Sequence, residues 1–344
     1  MKKRFKDKTV LVTGGTGSIG SEIVRKLLEN DAKQVRVYSR DETKQFELAY
    51  TLEGNPRLRF LVGDIRDKER LRMGMEDVDI VFHAAALKHV VSCELNPFEA
   101  VKTNVAGTQN VIECALANDI EKVVSVSTDK AADPTSVMGC TKLLAERLVL
   151  STYFYQGKKR TKFCSVRFGN VIGSRGSVVP LFVRQIKKGG PVTVTDPSMT
   201  RFFMSISQAV ELMFKASDLM RGHEIFILKM PVAKIGDLAE SVIELTREKF
   251  GIKNEIKIDI VGKRVAERQH EKLLFSEEAE QALERDEMFI IRPNVDYYLF
   301  HSFAKENYPG TQSTELSDYS SQDAKPMTKR QIREMLLSNW DPEA

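Results

Sequence analysis

The sequence predicts an α/β fold, a Rossmann-type doubly wound parallel sheet with a smaller mixed α/β lobe. Three observations carry this. Short apolar runs alternate with helical stretches through the first half of the chain. A glycine-rich segment stands between the first strand and the first helix. Beyond Asn170 the alternation loosens and short strands mix with helices. Strands alternating with helices imply right-handed crossovers and a parallel sheet covered on both faces.

The elements follow in order. Thr9 to Thr13 is an apolar run that stops at glycines, as a buried parallel strand does. Ser21 to Asn30 has helical spacing, with Ile23, Val24, Leu27 and Leu28 on one side. Further strands are expected at Val35 to Tyr38, Arg59 to Asp64, Asp79 to Ala85 and Lys122 to Ser127. Helices between them are expected at Asp41 to Leu52, Lys68 to Met75 and Pro97 to Ala117. A helix from Met138 to Tyr155 and a strand from Phe163 to Phe168 complete this part. The later strands are Val192 to Thr195, Glu224 to Leu228 and Ile256 to Ile260, with helices at Ser207 to Leu219 and Ile235 to Phe250. We therefore expect residues 1–170 to form the dinucleotide-binding domain and 171–304 mainly a substrate lobe, with elements free to cross between them. Residues 305–344 should hold a mobile Ser/Asp-rich segment and a C-terminal helix, Met327 to Trp340.

Bulk properties narrow the class. The 344 residues are 42% hydrophobic and 29% charged, enough for a large core. A net charge of +4 is a weak excess over this length and argues against a nucleic-acid footprint. Cys93, Cys114, Cys140 and Cys164 form no Cys-x-x-Cys pair and have no His at metal spacing, so no metal site is expected. They read as thiols in a reducing compartment. The basic start, Met1 to Lys6, meets no apolar signal-like run, and no long uncharged apolar stretch follows. A cytoplasmic protein without membrane contact is expected, and the C-terminal helix can dock on its own subunit or a neighbour in a homo-oligomer.

The glycine-rich segment is Thr13-Gly14-Gly15-Thr16-Gly17-Ser18-Ile19-Gly20. Glycines there let backbone N–H groups approach a pyrophosphate, and the following helix N-terminus adds favourable partial charge. Gly14, Thr16, Gly17, Ser18, Ile19 and Gly20 are the candidate phosphate contacts. NAD binders usually end the second strand with an acid that grips the ribose 2′-OH. Here Ser39 stands in that place, followed by Arg40, Asp41 and Lys44. Arg40 can pair with a 2′-phosphate, which points to NADP. Asp41 or Glu42 gripping the ribose of NAD is the alternative.

The fifth strand ends in Ser127-Thr128-Asp129-Lys130, and Met138-Gly139-Cys140-Thr141-Lys142 opens the next helix. Dehydrogenases of this architecture place a Ser or Thr at the strand end, and a Tyr base four residues before a Lys. Met138 stands where that Tyr is expected. Lys88 and His89 follow the fourth strand and face the same crevice, with a structural role for His89 also open. His83 lies inside an apolar strand and reads as a satisfied core histidine.

Ser127 to Ala132, Pro134-Thr135 and Met138-Gly139-x-Thr141-Lys142 together resemble the bacterial UDP-N-acetylglucosamine 4,6-dehydratases, within the extended short-chain dehydrogenase/reductases. The likeness extends to Ala84 to Val90, Lys102 to Val105, Arg167 to Val171, Gly176 to Val178, Pro191 to Thr195 and Thr200 to Met204. It spans roughly residues 6–275. Several members of that family carry Met in place of Tyr. Pro134-Thr135 through Met138 resembles members that retain configuration at C5. The short form with Ser39 to Glu42 resembles members that invert it, which leaves that stereochemistry open.

The resemblance implies UDP-N-acetylglucosamine as substrate and an internal redox cycle. A hydride leaves sugar C4 for NADP, the 4-ketone acidifies C5–H, water is lost across C5 and C6, and the hydride enters C6. It assigns a neutral Lys130 as C5 base and a protonated Asp129 as C6 acid. Thr128 holds the 4-OH and Lys142 binds the nicotinamide ribose. Asp64 and Ile65 contact adenine, and Ala84 and Ala85 line the cofactor path. Asn170, Val178 and Thr195 fall in matched substrate segments. Arg201 and Arg264 are candidates for the diphosphate. Glu267 is a candidate for the uridine ribose, although the usual Gly-Glu-Lys reads Ala-Glu-Arg here. Since Met138 cannot accept a proton, Asp129 or Lys142 must deprotonate the 4-OH. Release of a 5,6-ene, a 4-epimerase and a non-catalytic dinucleotide-binding protein are the alternatives.

Overall fold

The computed structural model describes residues 4–264, 266–285, 287–292, 308 and 310–339. The first half alternates as β1 (Thr9–Thr13), α1 (Ser18–Glu29), β2 (Gln34–Ser39), α2 (Glu42–Thr51), β3 (Leu58–Val62), α3 (Lys68–Gly74) and β4 (Ile80–His83). Then come α4 (Val90–Leu95), α5 (Pro97–Ala100), a π-helical turn (Val101–Ala106) and α6 (Gly107–Ala117). β5 (Lys122–Val126), α7 (Val137–Ser151) and β6 (Lys162–Arg167) follow. The helix expected from Pro97 to Ala117 is thus interrupted by one π turn. That turn aims the buried Asn104 carboxamide at Leu87 and Thr141, where it bonds the Leu87 N–H at 2.8 Å and the Thr141 hydroxyl at 3.0 Å.

The later elements are β7 (Asn170–Val171), α8 (Val178–Lys187), β8 (Val192–Val194), β9 (Thr200–Met204), α9 (Ile206–Leu219), β10 (Glu224–Leu228), β11 (Val232–Lys234) and α10 (Ile235–Phe250). They continue with β12 (Ile258–Ile260), β13 (Lys272–Leu274), α11 (Ser276–Ala279), β14 (Ala282–Glu284), β15 (Met288–Ile291), β16 (Gln312–Ser313), β17 (Tyr319–Ser320) and α12 (Lys329–Asn339).

Among the described residues the large sheet runs β16-β14-β15-β10-β6-β5-β4-β1-β2-β3. The strands from β3 to β10 are parallel, and β15 adds antiparallel to β10. The order in which successive strands are added reverses between β1 and β4, which opens a crevice at their C-terminal ends. Alternation along the strands fills both faces. Val10, Val12, Phe82 and Val124 pack with Ile23, Val24 and Leu27 of α1 and Met213 and Phe214 of α9. Leu11, Val81, Val123 and Phe163 pack on the other face with Val111, Ile112 and Ala115 of α6 and Val149 of α7. A separate core joins α8, α10 and α12 through Phe182, Ile186, Leu238, Val242, Ile332 and Leu336. Smaller sheets, β11-β9-β7, β12-β8 and β13-β17, build the second lobe. The large sheet also takes β10, β14, β15 and β16 from beyond residue 170.

The segment expected to be mobile is docked from residue 310 onward. β16 pairs with β14, and β17 pairs with β13. The Tyr319 ring packs on Phe202 and Phe289, and its hydroxyl bonds the Met230 N–H at 2.9 Å. Ser321 is buried, with its Oγ bonded to Thr200 Oγ1 at 2.8 Å and to the Glu271 N–H at 2.9 Å. Polar composition suggested solvent, but these hydroxyls satisfy buried backbone groups instead. The C-terminal helix docks on its own chain through Ile332 and Leu336, while Trp340 lies outside the described residues.

Arg167, at the end of β6, has no exposed surface. Its guanidinium pairs with Glu146 of α7 at 2.6 and 3.0 Å and with Glu278 of α11 at 2.6 and 2.9 Å. Removing one member of such a cluster strands the others without compensation. Arg167→Met should cost about 3–5 kcal/mol of folding stability. Denaturant unfolding of both proteins measures it, and a cost within the usual range of surface substitutions overturns the assignment.

Candidate active site

The glycine loop and the crevice above β1 form the first half of the site. Gly14 has φ +65°, and a Cβ there would lie 2.8 Å from the Ala85 backbone. The loop is therefore folded tightly against the end of β4. The cap residue of α1 is Gly17, and no side chain caps the helix, so its first N–H groups are open to a phosphate. A cavity of about 310 Å³ is lined by Gly14, Thr16, Gly17, Ser39, Arg40, Lys44, Asp64, Ile65, Ala84 and Ala85. Ser18, Ile19 and Gly20 lie outside this lining, in the first turn of α1. These features fit a dinucleotide with its pyrophosphate over the loop.

The ribose end of that cavity has specific chemistry. Ser39 Oγ bonds Thr16 Oγ1 at 2.7 Å. Asp41 is already engaged: one carboxylate oxygen caps α2 at the Lys44 N–H (3.0 Å) and the other meets Lys44 Nζ at 2.5 Å. Arg40 is half-exposed, with one guanidinium nitrogen 3.4 Å from Asp64. Burial pushes the Asp64 carboxyl up, but Arg66 and Arg40 outweigh it and hold the group below its usual value.

The second half of the site is built at the end of β5. Thr128 caps a short 3₁₀ turn, Asp129–Ala131. Its hydroxyl donates to Asp129 Oδ1 at 2.7 Å. Lys130 Nζ lies 3.0 Å from the same oxygen and 3.5 Å from Glu271 Oε1. Arg201 Nε approaches that Glu271 oxygen at 3.3 Å. Asp129 is 1% exposed and Glu271 4%, and Asp129 Oδ2 is buried with no hydrogen-bond partner among the described residues. Burial alone pulls the Lys130 ammonium down, yet the Asp129 and Glu271 carboxylates raise it above the ordinary lysine value. Burial pushes Glu271 up, and Lys130 only partly offsets this. The free site thus favours a protonated Lys130, whereas the sequence led us to expect a neutral one. Two carboxylates facing one ammonium are the reason.

A cavity of about 480 Å³ opens above this cluster. Lys88, His89, Lys130, Asn170, Val178, Thr195, Arg201, Arg264 and Glu267 all line it, as does Glu271. The arrangement differs from expectation at Arg201. Its guanidinium donates to the carbonyls of Thr200, Gln269 and Arg268 at 2.7–3.0 Å, besides facing Glu271. These donors hold the backbone around Glu271 and are not free for a diphosphate. Glu267 accepts from Thr195 Oγ1 at 3.3 Å, and Asn170 donates to the Phe202 carbonyl at 3.1 Å. Burial, with Arg175 nearby, lowers Lys88, and burial with Lys88 nearby lowers His89.

Met138 and Lys142 stand behind the cavity on α7. Met138 is buried in an apolar cluster with Cys93 and Ala100. Lys142 Nζ donates to the Val126 carbonyl at 2.6 Å, and burial lowers its pKa to about 8 against a weaker pull upward from Glu146. His83 is held between Thr13 Oγ1 at 2.7 Å and Thr108 Oγ1 at 3.1 Å, and burial lowers it to about 3. It is a neutral core residue. Two residues of the site were not assigned from sequence. Glu271 carried no role there, and Arg175 was unmarked. Arg175 crosses from the second lobe onto the glycine loop, its N–H bonding Ser18 Oγ at 3.0 Å across 157 residues and its guanidinium reaching the Thr16 carbonyl. No local pattern announces either contact.

The family of polysaccharide biosynthesis proteins matches residues 10–293. This chain belongs to that family. An uncharacterized membrane protein of Methanocaldococcus jannaschii is 52% identical over 334 residues, covering 96% of each chain. No helix among the described residues here is long and apolar enough to cross a membrane. A UDP-glucose 4-epimerase of Rickettsia canadensis is 40% identical over 339 residues, covering 97% of this chain and 96% of its own. The X-ray structure of Pen from Bacillus thuringiensis is 44% identical, covers 98% of this chain and 99% of its own, and superimposes with a TM-score of 0.89. A dTDP-glucose 4,6-dehydratase from Streptomyces venezuelae, solved with NAD and TYD bound, is 25% identical with a TM-score of 0.68, over 76% of this chain and 86% of its own.

The depressed Lys142 has a measurable consequence. Between about pH 8 and the ordinary lysine value of 10.5, the unfolded chain holds a proton that the folded chain has released. Stability from this site therefore rises with pH across that window. Wild type should gain stability relative to Lys142→Met as pH rises through it, read by denaturant unfolding at several pH values. A constant difference between the two proteins contradicts the assignment.

Proposed function

We propose that this chain is a UDP-N-acetylglucosamine 4,6-dehydratase that works with NADP. At the coarser level it is an NAD(P)-dependent nucleotide-sugar enzyme of the dehydratase and epimerase class, as its family and relatives imply. One observation carries the finer reading. Lys130 lines the cavity and bonds the buried Asp129 beside it at 3.0 Å, while the helix position of a C4 tyrosine base holds the buried Met138. A 4-epimerase needs proton transfer at the 4-OH alone, whereas elimination needs an acid and a base side by side.

When bound, NADP supplies a hydride acceptor at C4 and a donor at C6. Thr128 orients the 4-OH. Asp129 takes its proton by way of the Thr128 hydroxyl, which already donates to its Oδ1 at 2.7 Å. The 4-ketone acidifies C5–H, and Lys130 as a neutral amine removes that proton. Asp129 returns its proton to the departing C6 hydroxyl, so one carboxyl serves both steps. Lys88, His89, Asn170 and Thr195 surround the sugar and its phosphates. Arg264 and the open N-terminus of α8 at Val178 face the diphosphate.

A 4-epimerase is the second reading, favoured by the names of relatives 40% identical over nearly the whole chain. Incubation with UDP-N-acetylglucosamine separates the two by mass, since dehydration loses one water and epimerisation loses none. Deuterium placed at C4 should appear at C6 of a ketone product, or return to C4 if a 5,6-ene is released. Stoichiometric accumulation of reduced cofactor points instead to a simple dehydrogenase.

The preference for NADP rests on Ser39, the engaged Asp41 and the exposed Arg40. Arg40→Ala should weaken NADP by about 1–3 kcal/mol, the worth of a charge-assisted contact, and leave NAD nearly unchanged. Binding titrations with both cofactors check this, and equal weakening of both removes Arg40 from the assignment.

A further inference from the structure

We propose that Glu271 is the group that takes the proton of Lys130, turning it into a neutral base once the sugar 4-OH has been deprotonated. This rests on the dehydratase reading above. Elimination needs an amine lone pair at Lys130, and in the free site that lone pair carries a proton. Glu271 Oε1 stands 3.5 Å away and lines the same cavity. The groups facing the pair are Asp129 on the 3₁₀ turn and Arg201 on β9, with Glu267 4.0 Å beyond Arg201. Among the described residues Asp129 and Glu271 are the carboxylates that reach Lys130, and Asp129 already holds the 4-OH proton at that stage.

With both carboxylates ionised, the cluster sets Asp129 and Glu271 against Lys130 and Arg201. When Asp129 accepts the 4-OH proton, Lys130 loses one of its two stabilising carboxylates while Arg201 still repels it. Burial already favours a protonated Glu271. Moving the proton from Lys130 Nζ to Glu271 Oε1 then replaces a buried ion pair by two neutral groups, which low-dielectric surroundings favour. The amine takes the C5 proton, the C5–H electron pair becomes the C5–C6 double bond, and the C6–O bond breaks. The hydroxyl leaves as water with the proton from Asp129. For a ketone product, Lys130 returns its proton to C5 as hydride enters C6. Glu271 then hands its own proton back, and the starting charges are restored. Deprotonation at C4 thereby arms the base at C5, in that order.

Geometry suits a proton holder. The Glu271 backbone is fixed by the residue just after β17: its N–H donates to Ser321 Oγ and its carbonyl accepts from the Ser321 N–H, both at 2.9 Å. Its backbone is thereby anchored, and its carboxylate lies between Lys130 at 3.5 Å and Arg201 at 3.3 Å.

The test is Glu271→Gln, with UDP-N-acetylglucosamine and NADP under single turnover. The reduced-cofactor absorbance should still rise, which reports an intact site. Water loss and exchange of C5–H with deuterated solvent should fall by about 10²–10⁴-fold at neutral pH. Both should recover as pH is raised, because Lys130 must then lose its proton to solvent before substrate closes the cavity. A wild-type rate and pH profile in the variant overturns the proposal. So does loss of the reduced-cofactor phase as well, which marks Glu271 as a structural support only. If wild type itself releases no water, the dehydratase reading falls. The proton coupling is then read without turnover, by NMR titration of ¹³C-methylated Lys130. Asp129→Asn should lower its titration point, and adding Glu271→Gln should lower it further. No movement in either variant overturns the coupling.

Discussion

A single guanidinium holds the parts of this site in register. Arg167 is wholly buried at the end of β6, and its partners come from two distant stretches of chain. Glu146 lies one helical turn beyond Lys142 on α7, so the pair fixes the rotation of the helix that carries Met138 and Lys142. Glu278 lies on α11, and Arg167 also bonds the Leu273 carbonyl on β13 at 2.9 Å. Through those contacts the segment bearing Glu271 is anchored to the same strand end. A charge this deep is stable only when its partners are in place, so α7 and the β13-to-α11 segment can settle in few relative positions. The Asp129–Ala131 turn after β5 contacts both α7 and β13.

In the mechanism proposed above, that anchoring lets charge work as a sequence of steps. Asp129, Lys130, Glu271 and Arg201 are crowded within hydrogen-bonding or ion-pair distance and largely shielded from water. Coulomb interactions weaken with distance and with dielectric, so a proton gained by one member is felt strongly by the next. In an exposed cluster the same event is absorbed by solvent. The second lobe contributes Arg201 and Glu271, and the first contributes Asp129 and Lys130. The electrostatic unit exists only because the lobes meet.

What was legible in the sequence follows the range of the interactions concerned. Apart from α4, which was missed, and the π turn that divides the helix after it, the strands and helices of the first half were found within a few residues, because each is marked by its own apolar period and the glycine loop lies between two of them. Lys88, Asn170, Thr195 and Arg264, assigned to the substrate, line one cavity, whereas Thr128 and Asp129 are not among its lining residues. The failures are long-range. The Ser/Asp-rich stretch was expected in solvent, yet Tyr319, Ser320 and Ser321 dock through partners far away in sequence. Arg201 looked free because a sequence cannot show that three carbonyls surround its guanidinium. Arg175 and Glu271 were passed over for the same reason. Hydrogen bonds to buried backbone leave no periodic trace.

Met138 shows how the chemistry can survive loss of the usual base. A phenol at this position would need a partner for its hydroxyl, yet the surroundings are Cys93, Ala100, Leu87, Val90 and Val137. A thioether fills such a space without an unsatisfied polar atom. The change also alters Lys142, which has no tyrosinate beside it to stabilise its charge and sits at about 8 through burial. With its ammonium bonded to the Val126 carbonyl, Lys142 is tied to the strand end rather than aimed at the sugar. In the proposed reaction acid–base work shifts from the helix to the 3₁₀ turn, where the Lys130 amine lines the cavity and the Asp129 carboxyl lies buried 3.0 Å from it. Such a pair can serve C4 and C6 from one side and C5 from the other. A lone tyrosine serves only C4. The replacement of Tyr by Met is thus consistent with a site whose proton transfers have all moved to the strand end.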